Sequence, residues 1–343
     1  MKREAVQMII AGEEGLDVWA SDRIVRQGSQ VTLVSHTLPW HDVSLIDFLR
    51  SGAGSPRVYW EDSAWPLGFA GYGVAAVLMA GSPNRFQAIR EGMGRLFDNA
   101  ILETVDAPPT VGPRLFGGFS FQADHQPGDI WSAFPAAYFV LPRYQLTRTG
   151  DGSWLTVNRL VGEQQSRNGR PRPTVSLAPD PPAVAHDSSA GVHDLPFAIR
   201  NSMDEPAWQS LVQSAVKRIR SGELDKVVLA RTCDVWTHRP VDLVAVLARL
   251  QQRYPGCYRF LIEPVPGHAF FGATPELLVE VAGQHLRTVA MAGSAARGDT
   301  PDADAALARE LMTSPKEREE HAFVVDAIEA SLRSLAQRLD VPA

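Results

Sequence analysis

A segment rich in proline, serine, aspartate and glycine divides the chain near its middle, between residues 163 and 195. Such a composition cannot bury much apolar surface, so we expect a linker or a surface excursion there. The sequence therefore predicts an amino-terminal region over residues 1–162 and a second region over residues 196–343. The length of 343 residues by itself allows one large domain or two ordinary ones.

The first region consists of short apolar segments separated by glycine, proline and aspartate. These segments are enriched in β-branched and aromatic residues, which predicts a mostly antiparallel sheet. One helix is predicted over residues 83–97, where Phe86, Ile89 and Met93 recur at helical spacing. The predicted strands lie at residues 30–37, 57–60, 68–79, 115–121, 136–146 and 153–157.

The second region alternates helical and extended patterns. Asp204 is suited to cap a helix that has Pro206 in its first turn and ends before Gly222. Strands are predicted at residues 226–234, 257–263, 269–272, 277–281 and 286–291, and helices at residues 241–254, 301–312 and 315–339.

Composition and charge argue against several classes of protein. No run approaches the roughly 18 apolar residues needed to cross a bilayer, so we expect no membrane segment. The net charge of −6 and the scattered Lys and Arg residues give no footprint for nucleic acid. Cys233 and Cys257 form neither a disulfide framework nor a CxxC pattern. Because the amino terminus lacks a signal-peptide cleavage site, we expect a cytoplasmic protein.

Two ionisable side chains of the second region are candidates for proton transfer. Lys226 begins the apolar segment KVVLAR, where desolvation would favour a neutral amine able to take a proton from water. A strand-end lysine that reaches solvent fits the same spacing. Glu276 follows Pro275 in the segment FGATPELL, so a rigid corner presents its carboxyl group. Partial burial would keep that carboxyl group protonated as an acid, whereas an exposed turn glutamate would not act in this way.

Two further segments offer groups for anion and metal binding. In MAGSAARG (291–298), the backbone N–H groups of Gly293, Ser294 and Ala295 could bind a carboxylate, or the segment could be a plain turn. In SPKEREEH (314–321), Glu317 and Glu320 are three residues apart at a helix start, so they share one face. Carboxylates of this kind suit Mg²⁺, although acidic residues in a first turn also complement the helix dipole.

Taken together, KVVLAR, FGATPELL, MAGSAARG and SPKEREEH resemble the chorismate-using enzymes in order and spacing. This family comprises the isochorismate, salicylate, anthranilate and aminodeoxychorismate synthases. The first region, in YWED (59–62) and GFAGYGVAA (68–76), is similar to the amino-terminal part of menaquinone-type isochorismate synthases. The resemblance therefore implies a magnesium-dependent isomerase that converts chorismate to isochorismate.

The resemblance also implies roles for individual residues. Lys226 corresponds to the general base that activates water, and Glu276 to the general acid that protonates the departing hydroxyl group. Glu320 corresponds to a direct magnesium ligand, and Glu317 to a ligand that acts through water. The backbone around Ser294 corresponds to the part that binds the substrate carboxylate.

For the fold, the resemblance implies an α+β protein in which two large, mainly antiparallel sheets stack with helices around them as one intertwined domain. Members of the family continue past the position of Ala343 and supply a second metal glutamate from that portion. We therefore expect the fold to lack its carboxy-terminal part and residues 1–343 alone to be inactive or nearly so.

Three alternatives stay open on the sequence. Salicylate synthase shares the lysine, the glutamates and magnesium but goes on to eliminate pyruvate. Anthranilate synthase fits less well, because it usually carries glutamine at the position of Lys226. A non-catalytic remnant that binds an anionic metabolite is the alternative from another class.

Overall fold

The computed structural model describes residues 7–10, 31–62, 66–81, 83–105, 107–162 and 197–341. The chain divides into two compact units, which we call unit 1 (Met1–Asp194 and Pro240–Pro275) and unit 2 (Leu195–Arg239 and Glu276–Ala343). The predicted linker over residues 163–195 lies outside the described residues. The predicted regions 1–162 and 196–343 stay a prediction, and the structural grouping differs from them in assigning residues 240–275 to unit 1.

An eight-stranded sheet forms the largest element of unit 1. Its strand order is β14-β13-β3-β4-β9-β10-β2-β6, and every neighbouring pair is antiparallel except β2 with β6. The strands are β2 (Val31–Pro39), β3 (Arg57–Asp62), β4 (Leu67–Tyr72), β6 (Ile101–Thr104), β9 (Tyr144–Thr149), β10 (Gly152–Gly162), β13 (Tyr258–Val265) and β14 (His268–Thr274).

The other strands that the structure describes in unit 1 form a four-stranded antiparallel sheet in the order β1-β5-β8-β7. It contains β1 (Gln7–Ile10), β5 (Ala76–Ala80), β7 (Phe116–Phe119) and β8 (Ala137–Leu141). The single strand predicted at residues 68–79 is therefore two strands in different sheets. The break lies at Gly73, whose φ of 66° is a left-handed conformation that favours glycine. The predicted strand 136–146 is likewise broken, next to Pro142, which has no amide for a sheet ladder.

Three helices of unit 1 are α1 (Leu45–Ser51), α2 (Arg85–Phe97) and α4 (Leu243–Arg253). The predicted helices at residues 83–97 and 241–254 are confirmed, and α1 was missed. Ser44 caps α1 by accepting a hydrogen bond from the Asp47 amide. The main core cluster of unit 1 packs α1 and α4 onto the eight-stranded sheet through Phe48, Leu247 and Leu261.

A buried ionic network lies in unit 1 on β3. Glu61 Oε2 accepts hydrogen bonds from Tyr59 Oη at 2.7 Å, Gln251 Nε2 at 2.7 Å and Arg259 Nη2 at 2.9 Å. Arg148 Nη2 donates to the other oxygen at 2.9 Å. Burial opposes ionisation of this carboxyl group, but the hydrogen bonds from Gln251, Tyr59 and Arg259 lower its pKa on balance.

Unit 2 consists of short strands and three helices. β11 pairs with β12, and β15 with β16, each as an antiparallel two-stranded sheet. The elements are β11 (Phe197–Asn201), α3 (Glu205–Arg220), β12 (Cys233–Thr237), β15 (Glu280–Ala282), β16 (His285–Arg287), α5 (Pro301–Thr313) and α6 (Pro315–Leu332). No residue that the structure describes in unit 2 is buried.

Several predicted boundaries in unit 2 are wrong. The strand predicted at residues 226–234 begins only at Cys233, because no strand of the described chain pairs with residues 226–232. The strands predicted at 277–281 and 286–291 are shortened to the tight hairpin of β15 and β16, and α6 ends at Leu332 rather than at residue 339. The predicted α+β class with several antiparallel sheets is confirmed. Within the described ranges, no helix is long and apolar enough to span a membrane.

Candidate functional site

Lys226 lies in unit 2, in the irregular segment between α3 and β12. α3 ends at Arg220 and is followed by Gly222, whose φ is 72°, and the Glu223 amide donates back to the Arg218 carbonyl at 3.0 Å. These contacts form a Schellman-type end that turns the chain away from the helix axis. The Lys226 side chain is 25% exposed, and its Nζ lies 3.4 Å from Glu320 Oε1. The structure thus brings the predicted base to the predicted metal ligand.

Glu317 and Glu320 lie in the first two turns of α6. Ser314 caps this helix, accepting a hydrogen bond from the Glu317 amide, and Pro315 opens it with a preset φ. The two glutamates are three residues apart, so their carboxylates leave the same face of α6. Both are half-buried, with side chains 21% and 37% exposed respectively. Lys316 Nζ lies 3.2 Å from Glu317 Oε1.

Gly293 brings the segment 291–298 against α6. Its φ of 79° is left-handed, and a Cβ added there would lie 2.7 Å from Glu317 Oε2 and 3.4 Å from Leu311 Cδ1. A side chain at this position would therefore collide with the carboxylate. Ser294 and Ala295 are exposed, so their N–H groups lie on a solvent-facing stretch beside an acidic side chain.

Glu276 begins the second segment of unit 2 and belongs to the irregular stretch between β14 and β15. Its side chain is exposed, so the partial burial that would keep it protonated is not found. β14 ends at Thr274, directly before Pro275, but residues 275–279 form no strand, so the corner made by Pro275 has only one of the two flanking strands that the sequence predicted. The role of Glu276 as an acid stays a prediction.

The carboxylates of α6 can be tested for their fit to a magnesium ion. Glu317 and Glu320 present hard oxygen donors from one helix face, and Mg²⁺ takes one or two carboxylates while it keeps several waters. The donor set therefore fits. Within the described residues, no group of three or more His, Cys, Asp or Glu side chains is arranged to hold a metal.

Sequence reasoning missed one ion pair in this part of unit 2. Arg297 Nε and Nη2 donate to the two carboxylate oxygens of Asp304 at 2.6 and 2.7 Å. The Gly298 amide donates to Asp304 Oδ1 at 2.9 Å. An arginine followed by glycine, with an aspartate in the first turn of the next helix, is the only signal that the sequence offers for this contact.

The matches to known proteins cover most of the chain. The family model described as chorismate binding enzyme matches residues 20–343. Isochorismate synthase MenF of Bacillus subtilis is 28% identical over 327 residues, which cover 92% of this chain and 68% of that protein. The salicylate biosynthesis isochorismate synthase of Pseudomonas aeruginosa is 30% identical over 296 residues, which cover 84% of this chain and 59% of that protein.

Solved structures are also similar over most of the chain. One of them is MenF, the menaquinone-specific isochorismate synthase from Escherichia coli, with a TM-score of 0.67 and 23% sequence identity. The match covers 92% of this chain and 67% of that chain. At this identity the likeness establishes the fold alone. The chain spans between 59% and 68% of the length of these proteins.

Proposed function

We propose that this chain, which belongs to the chorismate-binding enzyme family, acts as an isomerase that converts chorismate to isochorismate. The resemblance seen in the four sequence segments is confirmed by the family match. The observation that carries the proposal is the 3.4 Å contact between Lys226 Nζ and Glu320 Oε1, which joins a candidate base to a candidate metal ligand. The relatives named isochorismate synthases support the same reaction.

The reaction needs a base and an acid at different positions on the ring. Lys226 takes a proton from a water molecule whose oxygen adds to ring carbon 2. Glu276 gives a proton to the 4-hydroxyl group, which leaves as water while the ring double bonds shift. Each of these proton transfers contributes roughly 10²–10⁴ in rate. The contact with Glu320 holds the Lys226 side chain at the site.

Glu320 would hold Mg²⁺ directly, with Glu317 acting through a water molecule. When bound, the ion supplies positive charge that compensates the ring carboxylate of the substrate. The N–H groups of Gly293, Ser294 and Ala295 donate to that carboxylate. The position of Gly293 against Glu317 supports this arrangement, because the backbone at residue 293 lies next to the acidic face of α6.

Substitution of Lys226 tests the proposal. In a complete enzyme, Lys226→Ala should lower isochorismate formation by about 10²–10⁴-fold, measured by chromatography of chorismate incubated with the protein and MgCl₂. Lys217→Ala, which removes an exposed lysine of α3, is the matched control and should leave the rate unchanged. Near-normal turnover by Lys226→Ala would contradict the assignment.

The products separate the rival functions. Free pyruvate without accumulating isochorismate would indicate salicylate synthase, and anthranilate formed with ammonia would indicate anthranilate synthase. Calorimetric titration with chorismate and MgCl₂ addresses the non-catalytic alternative, because magnesium-dependent binding without any turnover would favour a remnant. Glu320→Gln should weaken magnesium-dependent binding in the same titration, because it removes a charged oxygen ligand.

A role in menaquinone biosynthesis is part of the proposal and rests on the similarity to the two MenF proteins. Restoration of menaquinone in a bacterium that lacks isochorismate synthase would test it. The cytoplasmic location and the low turnover of residues 1–343 alone stay predictions from the sequence.

A further inference from the structure

Arg297 and Gly298 end the segment 291–298, which carries the proposed carboxylate-binding N–H groups, yet neither has a role in the proposed reaction. Both bind Asp304 in the first turn of α5. One carboxylate thus accepts three hydrogen bonds from two consecutive residues. Such paired Arg–carboxylate contacts fix direction as well as distance.

Asp304 is not needed as the cap of α5. Thr300 fills that position, because its side chain accepts a hydrogen bond from the Ala303 amide. The hydrogen bonds from Arg297, followed by that from Gly298, hold the pKa of Asp304 below its ordinary value. The Asp304 carboxylate therefore binds the segment before α5 and does not cap the start of α5.

Gly298 makes the approach to α5 unusually close. A Cβ at this position would lie 2.6 Å from the carbonyl carbon of Ala303 and would also collide with the Asp304 backbone nitrogen. Both obstacles are main-chain atoms that cannot rotate away. The segment consequently touches α5 backbone to backbone at this end.

The other end of the segment also rests on α5, since Gly293 lies against Leu311 as well as Glu317. Asp304 and Leu311 are about 10 Å apart along the helix axis. The stretch 293–298 is therefore fixed at two points on one rigid helix.

We propose that Asp304, acting through Arg297 and Gly298, is a positioning residue that holds the N–H groups of residues 293–295 in place for the substrate carboxylate. This inference rests on the proposed function. Arg297 is 88% exposed, and exposed ion pairs contribute little to stability. The contact therefore acts on loop geometry, and its loss changes ligand binding without unfolding the protein.

Hydrogen exchange and calorimetry on the same variants test this role. Asp304→Ala, which removes all three hydrogen bonds, should speed exchange of the Gly298 amide and of the loop amides at 293–298. Arg297→Gln keeps the Gly298 contact and should give a smaller change. The Kd for chorismate in MgCl₂ should rise on the order of tenfold or more in Asp304→Ala, because a small misplacement of positioning groups weakens binding steeply.

Glu280→Gln is the matched control. Glu280 also accepts two hydrogen bonds from one arginine, Arg287, at 2.9 and 2.6 Å, on the exposed hairpin of β15 and β16. It should change neither the exchange of residues 293–298 nor the Kd. The melting temperature of each variant should stay close to that of the parent protein.

The outcomes separate the inference from the proposed function. Unchanged loop exchange in Asp304→Ala overturns the inference, as does faster exchange with an unchanged Kd in a protein that binds chorismate. If the parent protein neither binds nor converts chorismate, the proposed function fails and the substrate part of the inference fails with it. Faster exchange in Asp304→Ala alone would then still establish the contact that holds the loop.

Discussion

Unit 1 and unit 2 use their apolar residues differently. Unit 1 buries Phe48 and Leu247 almost completely in its main core cluster, at 0% exposure each. In unit 2, Leu211 and Ile219 on the apolar face of α3 are 37% and 38% exposed, and no described residue is buried. Since burial of apolar side chains is the main source of folding free energy, the described contacts stabilise unit 1 far more than unit 2.

The well-buried core and the residues proposed for catalysis therefore belong to different units. Every residue of the proposed site belongs to unit 2, where Lys226, Glu317 and Glu320 are only half-buried. The amphipathic pattern of α3 predicts that its apolar face is buried, but the described contacts of unit 2 do not bury that face. A helical pattern therefore identifies which face is apolar but not what covers it.

Truncation of one phenylalanine in each unit gives the largest expected contrast. Phe48→Ala should lower the free energy of unfolding by about 4 kcal/mol, because it leaves a cavity in the core of unit 1. Phe323→Ala, the same change on α6 where the side chain is 40% exposed, should cost far less. Guanidinium unfolding of both variants measures the difference. Equal costs would mean that the α6 face is covered in solution.

Removal of the buried carboxylate of unit 1 comes next. Glu61→Ala should cost about 3 kcal/mol, because Arg259, whose side chain is 6% exposed, loses its charged partner. Glu223→Ala removes the exposed partner of Arg218 in unit 2 and should leave the unfolding midpoint unchanged. A similar shift for both variants would contradict the proposed difference in burial.

The same carboxylate gives unit 1 a pH dependence. The pKa of Glu61 is lowered in the folded state, so its contribution is present above its ordinary pKa near 4.5 and is lost as pH falls through the lowered value. Unfolding followed from pH 6 to pH 3 should show this loss. Glu61→Gln, which cannot titrate, should reduce the slope. An unchanged slope would rule out Glu61 as the source.

The smallest expected effect concerns the end of α3 in unit 2. Gly222→Ala should cost about 1 kcal/mol, because alanine is strained at a φ of 72° although no atom lies within 4 Å of the new Cβ. Gly256→Ala in unit 1 is the control, since that position is equally open and not left-handed. Urea unfolding compares them. Equal costs would show that backbone strain does not limit the end of α3.

The sequence predicted those elements whose signals are local. Asp204 caps α3 as expected, accepting a hydrogen bond from the Ala207 amide at 2.9 Å, and α5 begins at Pro301. By contrast, α1 was missed because it has only seven residues, too few for a clear helical period. The strand expected at Lys226 failed because its apolar residues have no paired neighbour, and Val228 is 79% exposed.

For the proposed site, the sequence identified the candidate residues, and the structure showed two contacts between them. Nothing in the spacing of Lys226 and Glu320 indicates that their side chains lie 3.4 Å apart. The contact of Gly293 with Glu317 likewise depends on a left-handed backbone and on the position of α6. The resemblance to chorismate-using enzymes identified the candidate residues, because the order of the motifs is visible in the sequence whereas the geometry of the site is not.

The amino-acid sequence by itself determined the helix caps, the residue set of the proposed site and the family. Only the tertiary structure decided that β3 lies between β4 and β13, that Glu61 meets Arg259, and which apolar faces are buried. The physical reason is that caps and turns are settled by residues a few positions apart. Sheet order, ion pairing and burial depend on contacts between distant parts of the chain, which no local pattern encodes.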